Sequence, residues 1–185
     1  IYDLVTRSPS FFTNELFLIE AGGLRRIDKP MDADASLWDD QLLITLRSDW
    51  TVAGRTWRAG SLLATGLASY MQGGRALSAL FTPQPDSALV GLAETKGAIL
   101  VNELRDVRSF LSVHRRTSQR WVHEQIPTEP ARTVTVQPFD EDENDDYWYV
   151  ETGFLAPESL SLGRVGVPER ERLKRGPSFF DVADL

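Results

Sequence analysis

The chain has 185 residues, 42% hydrophobic and 25% charged, the balance of an ordinary globular protein with an apolar core. Its formal net charge is −7 and the pairs Arg25-Arg26, Arg115-Arg116 and Lys174-Arg175 lie far apart, so the basic stripe of a nucleic-acid binder is missing and no nucleic-acid partner is expected. No apolar run reaches the roughly 18 residues of a membrane-spanning helix, so no membrane partner is expected either. The absence of cysteine excludes disulfides, thiolate catalysis and Cys-ligated metals. It fits a reducing compartment, the cytoplasm, with the periplasm as the alternative. The start Ile1-Tyr2-Asp3-Leu4 shows no Met, basic segment or apolar leader, and both ends are expected to be cuts within a longer protein.

In chain order, short runs of Leu, Val, Ile, Trp and Tyr alternate with Gly, Pro, Asp and Asn, the punctuation of strands and turns. Glu15 to Ile19 and Gly23 to Ile27 form an opening hairpin across Glu20-Ala21-Gly22. Strands follow at Ala35 to Trp38, Gln41 to Leu46, Ser61 to Thr65 and Ala76 to Phe81, with an extra hairpin at Trp50 to Trp57 whose two tryptophans can pair. Leu67 to Gln72 reads as a short helical turn closed by Gly73-Gly74. Ser87 to Ala93, Ala98 to Leu104, Arg108 to His114 and Trp121 to Gln125 make a second group of four, and Thr133 to Gln137, Tyr147 to Thr152, Ser159 to Gly163 and Arg170 to Lys174 a third. Equivalent strands recur every roughly 50 residues, the period of a four-stranded propeller blade.

The fold class expected is therefore all-β, a partial β-propeller of four-stranded antiparallel blades, about three blades plus a hairpin of another. Residues 1–28 end one blade, 29–84, 85–128 and 129–176 are blades, and 177–185 lead out of the domain. The five tryptophans, Trp38, Trp50, Trp57, Trp121 and Trp148, fall on or beside strands and are expected to pack between blades. A β-sandwich shares this strand spacing and is the rival architecture.

Chemistry is sparse. A nucleophile elbow needs Gly-x-Ser-x-Gly, and the nearest approach, Gly176-Pro177-Ser178-Phe179-Phe180, lacks the second glycine. A triad needs a histidine oriented by a carboxylate; His114, placed at a strand end, and His123, alternating with Trp121, read as ordinary surface or packing residues. No phosphate-binding glycine loop occurs, and two histidines make no zinc site. Asp140, Asp142, Asn144 and Glu151 occupy positions 1, 3, 5 and 12 of a calcium loop, but Asp145 stands where that loop needs glycine. Residues 140–146 are expected to be an acidic, solvated connection between two strands. No catalytic, cofactor-binding or metal-binding residue is assigned, and no cofactor is expected.

Two further segments carry a resemblance. Leu104-Arg105-Asp106-Val107-Arg108-Ser109-Phe110-Leu111 and Phe154-Leu155-Ala156-Pro157-Glu158-Ser159-Leu160 resemble strand-to-strand steps in the late blades of the prolyl oligopeptidase family. Leu42 to Gly54, Ala59 to Ala64 and Phe11 to Ile19 look like the bacterial branch of that family, and Leu173 to Asp181 looks like its exit toward the hydrolase domain. The resemblance covers nearly the whole chain. It implies the second half of a seven-bladed propeller that caps an α/β-hydrolase domain, in a serine endopeptidase cleaving short peptides after proline.

The implied function is then a non-catalytic propeller segment that gates substrate access. Its partners are the hydrolase domain and the remaining blades of the same protein, with short proline-containing peptides as substrates of the whole enzyme. Alone, the chain lacks the Ser/Asp/His triad, is expected to be inactive, and is expected to self-associate through uncovered blade faces. The alternative is a standalone propeller-like protein-interaction module.

Overall fold

The computed structural model describes residues 2–118, 120–154 and 156–178, which divide into two compact units, Ile1–Pro83 and Gln84–Leu185. Every main sheet is an antiparallel meander in which sequence neighbours are spatial neighbours. That strand order removes the sandwich alternative, whose sheets exchange strands through Greek-key connections.

In the first unit, β1 (Leu4–Ser10), β2 (Thr13–Glu20) and β3 (Gly23–Ile27) form one sheet. β4 (Asp34–Trp38), β5 (Gln41–Thr45), β8 (Leu62–Gly66) and β9 (Ser78–Phe81) form another. The separate hairpin of β6 (Trp50–Val52) and β7 (Arg55–Trp57) pairs Trp50 with Trp57, as expected, and is inserted in the chain between the paired strands β5 and β8. The helical turn is α1 (Leu67–Met71). Leu16, Leu18 and Ile27 of the first sheet pack on Leu42, Ile44 and Leu63 of the second, with Leu67 and Tyr70 of α1. Fully burying side chains of this size stabilises by about 1.5–3 kcal/mol each, so this cluster outweighs the exposed ion pairs around it, worth about 0–1 kcal/mol each.

β1 was not legible from composition. Val-Thr-Arg-Ser-Pro-Ser buries little, its register with β2 shifts between Arg7 and Ser10, and Pro9 is tolerated because the strand lies at a sheet edge. The opening hairpin is thus extended to three strands.

In the second unit, β10 (Ser87–Glu94), β11 (Ile99–Arg105), β12 (Arg108–Thr117) and β13 (Arg120–Ile126) form one sheet. β14 (Arg132–Pro138), β15 (Asp146–Gly153), β16 (Ala156–Arg164) and β17 (Glu171–Arg175) form the other. Leu100, Leu111 and Val113 of one sheet pack against Val134, Val136, Tyr147 and Tyr149 of the other. Within the second of these sheets, Gly163 leaves room for the ring of its cross-strand partner Tyr147, which a Cβ there would overlap. Polar pins cross the interface between the two sheets. The Asn102 amide donates to the Val134 carbonyl at 2.6 Å, and the Ser109 hydroxyl accepts from the Val134 N–H at 3.0 Å.

Burial differs by sheet in a way the sequence encodes. In β5, Leu42, Leu43 and Ile44 are all buried, and so are Ile99, Leu100 and Val101 in β11, so both faces of these strands are covered. In β2 and β15 burial alternates. Leu16 and Leu18 are buried while Phe17 and Ile19 are not, and Tyr147 and Tyr149 are buried while Trp148 and Val150 are half-exposed.

One buried cation fixes the junction between the first two sheets. The Lys29 ammonium donates to the Asn14 side-chain oxygen (2.7 Å) and to the carbonyls of Asn14 (3.1 Å), Pro30 (3.2 Å) and Ala33 (2.6 Å). Burial holds its pKa below the ordinary lysine value, opposed by Asp34 and Asp32. Lys29→Met keeps the bulk but strands these acceptors, and is expected to lower the unfolding free energy by about 2–4 kcal/mol, read from the urea midpoint at unchanged m-value.

Candidate functional site

The residues weighed for catalysis are held in structural roles. β12 runs to Thr117, so His114 lies inside a strand rather than at its end; the polar stretch Arg115-Arg116-Thr117 continues the ladder instead of turning. His114 and His123 pair across β12 and β13 with rings stacked 5.4 Å apart, and Ser112 Oγ lies 3.0 Å from His114 Nε2. Burial, aided by His123, lowers the His114 pKa to about 4. Ser178 lies beyond β17, and Phe179 and Phe180 of the elbow-like stretch are outside the described residues, as is all but the start of the expected exit over 177–185.

The acidic connection uses its own carboxylates. Asp140 Oδ1 accepts from the N–H groups of Asp142 (3.2 Å) and Glu143 (3.1 Å), and Asn144 Oδ1 from that of Asp146 (2.9 Å). Asp146 pairs with Arg164, and this hydrogen bond holds its pKa below the ordinary carboxylate value. Asp145, the residue that spoils the calcium pattern, clamps the β10–β11 turn. Its Oδ1 accepts from Thr95 Oγ1 (2.8 Å) and the Gly97 N–H (2.6 Å), while the Asn144 carbonyl accepts from Lys96 N–H. Among the described residues no cluster of three or more His, Cys, Asp or Glu could hold a metal.

Two clefts lie in the second unit. One, of about 550 Å³, opens where β11 hands over to β12 and β15 to β16; Val107, Arg108, Arg132 and Phe154 line it. Its apolar members are almost fully exposed, Val107 at 84% and Phe154 at 93%. Asp106 and Val107 form a two-residue turn with φ of 45° and 64°. Such turns suit Asn-Gly or Asp-Gly, and a β-branched residue there is strained. A strained, exposed valine does nothing for folding, which points to a role for its surface. In the first unit the β1–β2 turn has the same character, with Phe11 94% and Phe12 74% exposed.

The second cleft, of about 320 Å³, is polar and was missed by the sequence reading. Tyr149, Ser159 and Ser161 are buried in it, beside Arg170 and Arg172. The available signal was Ser159 and Ser161 alternating on one face of β16, opposite Tyr149 and Glu151 of β15.

Antiparallel meanders, three of them four-stranded, repeated along the chain and packed face to face within each unit define a blade-repeat protein. No protein-family model matches the chain. Over its whole length it is 24% identical to an uncharacterised peptidase of Sinorhizobium fredii, of which it covers 26%. Among solved structures it resembles a post-proline cleaving enzyme from Rickettsia typhi, with a TM-score of 0.79 and 16% identity over 97% of this chain and 27% of that one. It also resembles a prolyl endopeptidase (TM-score 0.65, 15% identity, 97% of this chain, 25% of that one) and oligopeptidase B from Leishmania major (0.64, 13%, 94% and 27%). The chain thus spans about a quarter of each relative. Its fold is that of a segment of prolyl-oligopeptidase-type peptidases, all-β and similar to their propeller domains.

Thermal and urea unfolding test these assignments. Asp145→Ala loses the turn clamp and about 2 kcal/mol, Asp142→Ala stays within about 0.5 kcal/mol, and a calcium titration leaves the melting temperature unchanged. Val107→Gly relieves the turn and raises stability by about 1 kcal/mol.

Proposed function

We propose that this chain is a non-catalytic propeller segment of a prolyl-oligopeptidase-type serine endopeptidase that cleaves short peptides after proline. Residues 29–84, 85–128 and 129–176 are three consecutive blades, and 1–28 complete a fourth. The propeller caps the active site of a hydrolase domain in the same protein and restricts access to small peptides. The cysteine-free composition suits a cytoplasmic enzyme.

The observation that carries this reading is the burial pattern. β5 and β11 each bury three apolar residues in a row, whereas the first sheet exposes Val5, Ile19 and Leu24 on one face and the last sheet leaves Trp148, Val150, Leu160 and Leu162 only partly buried on one face. A sheet that leaves an apolar face uncovered belongs to a longer array, because each repeat buries its faces only against its neighbours. The hairpin tips support the capping role. The turns carrying Phe11-Phe12, Asp106-Val107 and Phe154 expose apolar groups where solvent exposure alone would favour polar ones. In a propeller the same turn of every blade rims one face, and a rim of this kind suits a partner domain. The peptidase relatives, of which this chain covers about a quarter, leave ample length for such a domain.

The test is to label extract of the source cells with a fluorophosphonate, which modifies activated serines, and to identify labelled proteins by mass spectrometry. The diagnostic tryptic peptide is Ser109 to Arg115. It is expected in a labelled protein much larger than 20.8 kDa. Its recovery from an unlabelled protein of about this chain's size would overturn the peptidase reading and leave a standalone interaction module.

A further inference from the structure

The two units finish the corresponding end of their cores differently. In the first, the link between the second and third strands of the later sheet is the β6–β7 hairpin, and its apolar side folds onto the core. Trp57 is buried in the cluster of Leu16, Leu42 and Leu63, and Trp50 and Val52 pack against it. In the second unit the corresponding link is the short β15–β16 turn carrying Phe154, which is almost fully exposed and takes no part in the core. There the hairpin-tip cleft of about 550 Å³ opens, bounded by this turn, the Asp106-Val107 turn and the start of β14. Its volume falls within the roughly 300–1,000 Å³ of pockets that take up an organic group.

Backbone strain gathers at this cleft. Six non-glycine residues among the described residues have a left-handed φ, and three of them, Asp106 (45°), Val107 (64°) and Ala131 (57°), line it. Residues held in this way cluster where a surface must keep a fixed shape for a ligand or partner. Charge does not decide what enters. Arg132 is committed to the Glu151 carboxylate at 3.1 Å, and Asp106 and Arg108 carry opposite charges. The large groups offered to an occupant are the Val107 and Phe154 side chains, which suits an apolar one.

The course of the chain indicates where that occupant comes from. β17 runs toward this rim, and the Gly176 N–H donates to the Glu158 carbonyl near the start of β16 at 2.8 Å. The chain therefore leaves the last sheet close to the β15–β16 turn. Most of the length of the peptidase relatives lies outside the part matched by this chain.

We propose that this cleft is a socket for a large apolar side chain, aromatic by the precedent of Trp57, carried by a part of the same protein that follows the last sheet. The inserted group does for the second core what the Trp50–Trp57 hairpin does for the first, and it latches that part of the protein to the rim. The inference rests on the reading of this chain as a segment of a longer peptidase, and it adds the socket and the kind of group that fills it.

The test is made on the complete protein by hydroxyl-radical labelling read by mass spectrometry. A side chain at the centre of an interface is shut off from water, so Phe154 is expected to be modified at least about tenfold more slowly than in a digest of the same protein. A smaller protection would overturn the proposal. The occupant is then identified with photoreactive p-benzoylphenylalanine in place of Val107. The expected product is a cross-link within one molecule to an apolar residue C-terminal to Ser178. Cross-links confined to residues 1–178 or to another molecule would sink the proposal. Fluorophosphonate labelling of the same sample separates the two readings. A labelled protein with Phe154 unprotected keeps the peptidase reading and loses the socket, and a protected, cross-linked Phe154 rim in an unlabelled protein does the reverse.

Discussion

The structure depends on one constraint: a four-stranded antiparallel sheet with two apolar faces has only its neighbours to bury them against. β5 and β11 show how strongly this acts. Leu42-Leu43-Ile44 and Ile99-Leu100-Val101 are buried at every position, so these strands lack the alternation of a half-solvated sheet. Within each unit two sheets pack face to face, Leu16 and Leu18 on Leu42 and Ile44, and Leu111 and Val113 on Val134 and Val136. With side chains of this size worth about 1.5–3 kcal/mol each, stacking sets the stability and the surface ion pairs add little.

Polar groups set the register of the stack. Asn102 and Ser109 meet the two backbone groups of Val134, Asp145 closes the β10–β11 turn from the neighbouring sheet, and Lys29 gathers oxygens from both sides of its junction. An apolar face tolerates sliding, whereas a buried amide or carboxylate with fixed partners does not. The scaffold so fixed leaves its turns free to carry surface. Val107 sits in a left-handed turn that a glycine would fill without strain, and Phe154 is almost wholly exposed. These features weaken the isolated fold and gain meaning against a partner.

Much of this was legible in the sequence. The Trp50–Trp57 hairpin, the turn at Leu67 and the grouping of strands by four followed from turn residues and apolar runs, because those signals are local. β1 was not legible, since an exposed edge strand containing Pro9 carries no burial signal. The continuation of β12 past His114 was hidden by three polar residues whose side chains need no burial. Asp145 illustrates a further limit. Its misfit to a calcium pattern was readable, but its role as acceptor for Thr95 and Gly97 depends on residues about fifty positions away. The polar cleft was hidden for the same reason, because Tyr149 reads as core until Arg170 and Ser159 are placed beside it.

The most direct test of the account is an electron-density map of the complete protein at a resolution that separates β-strands. The account predicts a seven-bladed ring in which residues 34–175 form three adjacent blades, with the Asp106-Val107 and Phe154 turns on the face toward a hydrolase domain. A map in which these sheets close on themselves, or in which those turns point to solvent away from any catalytic domain, would contradict it.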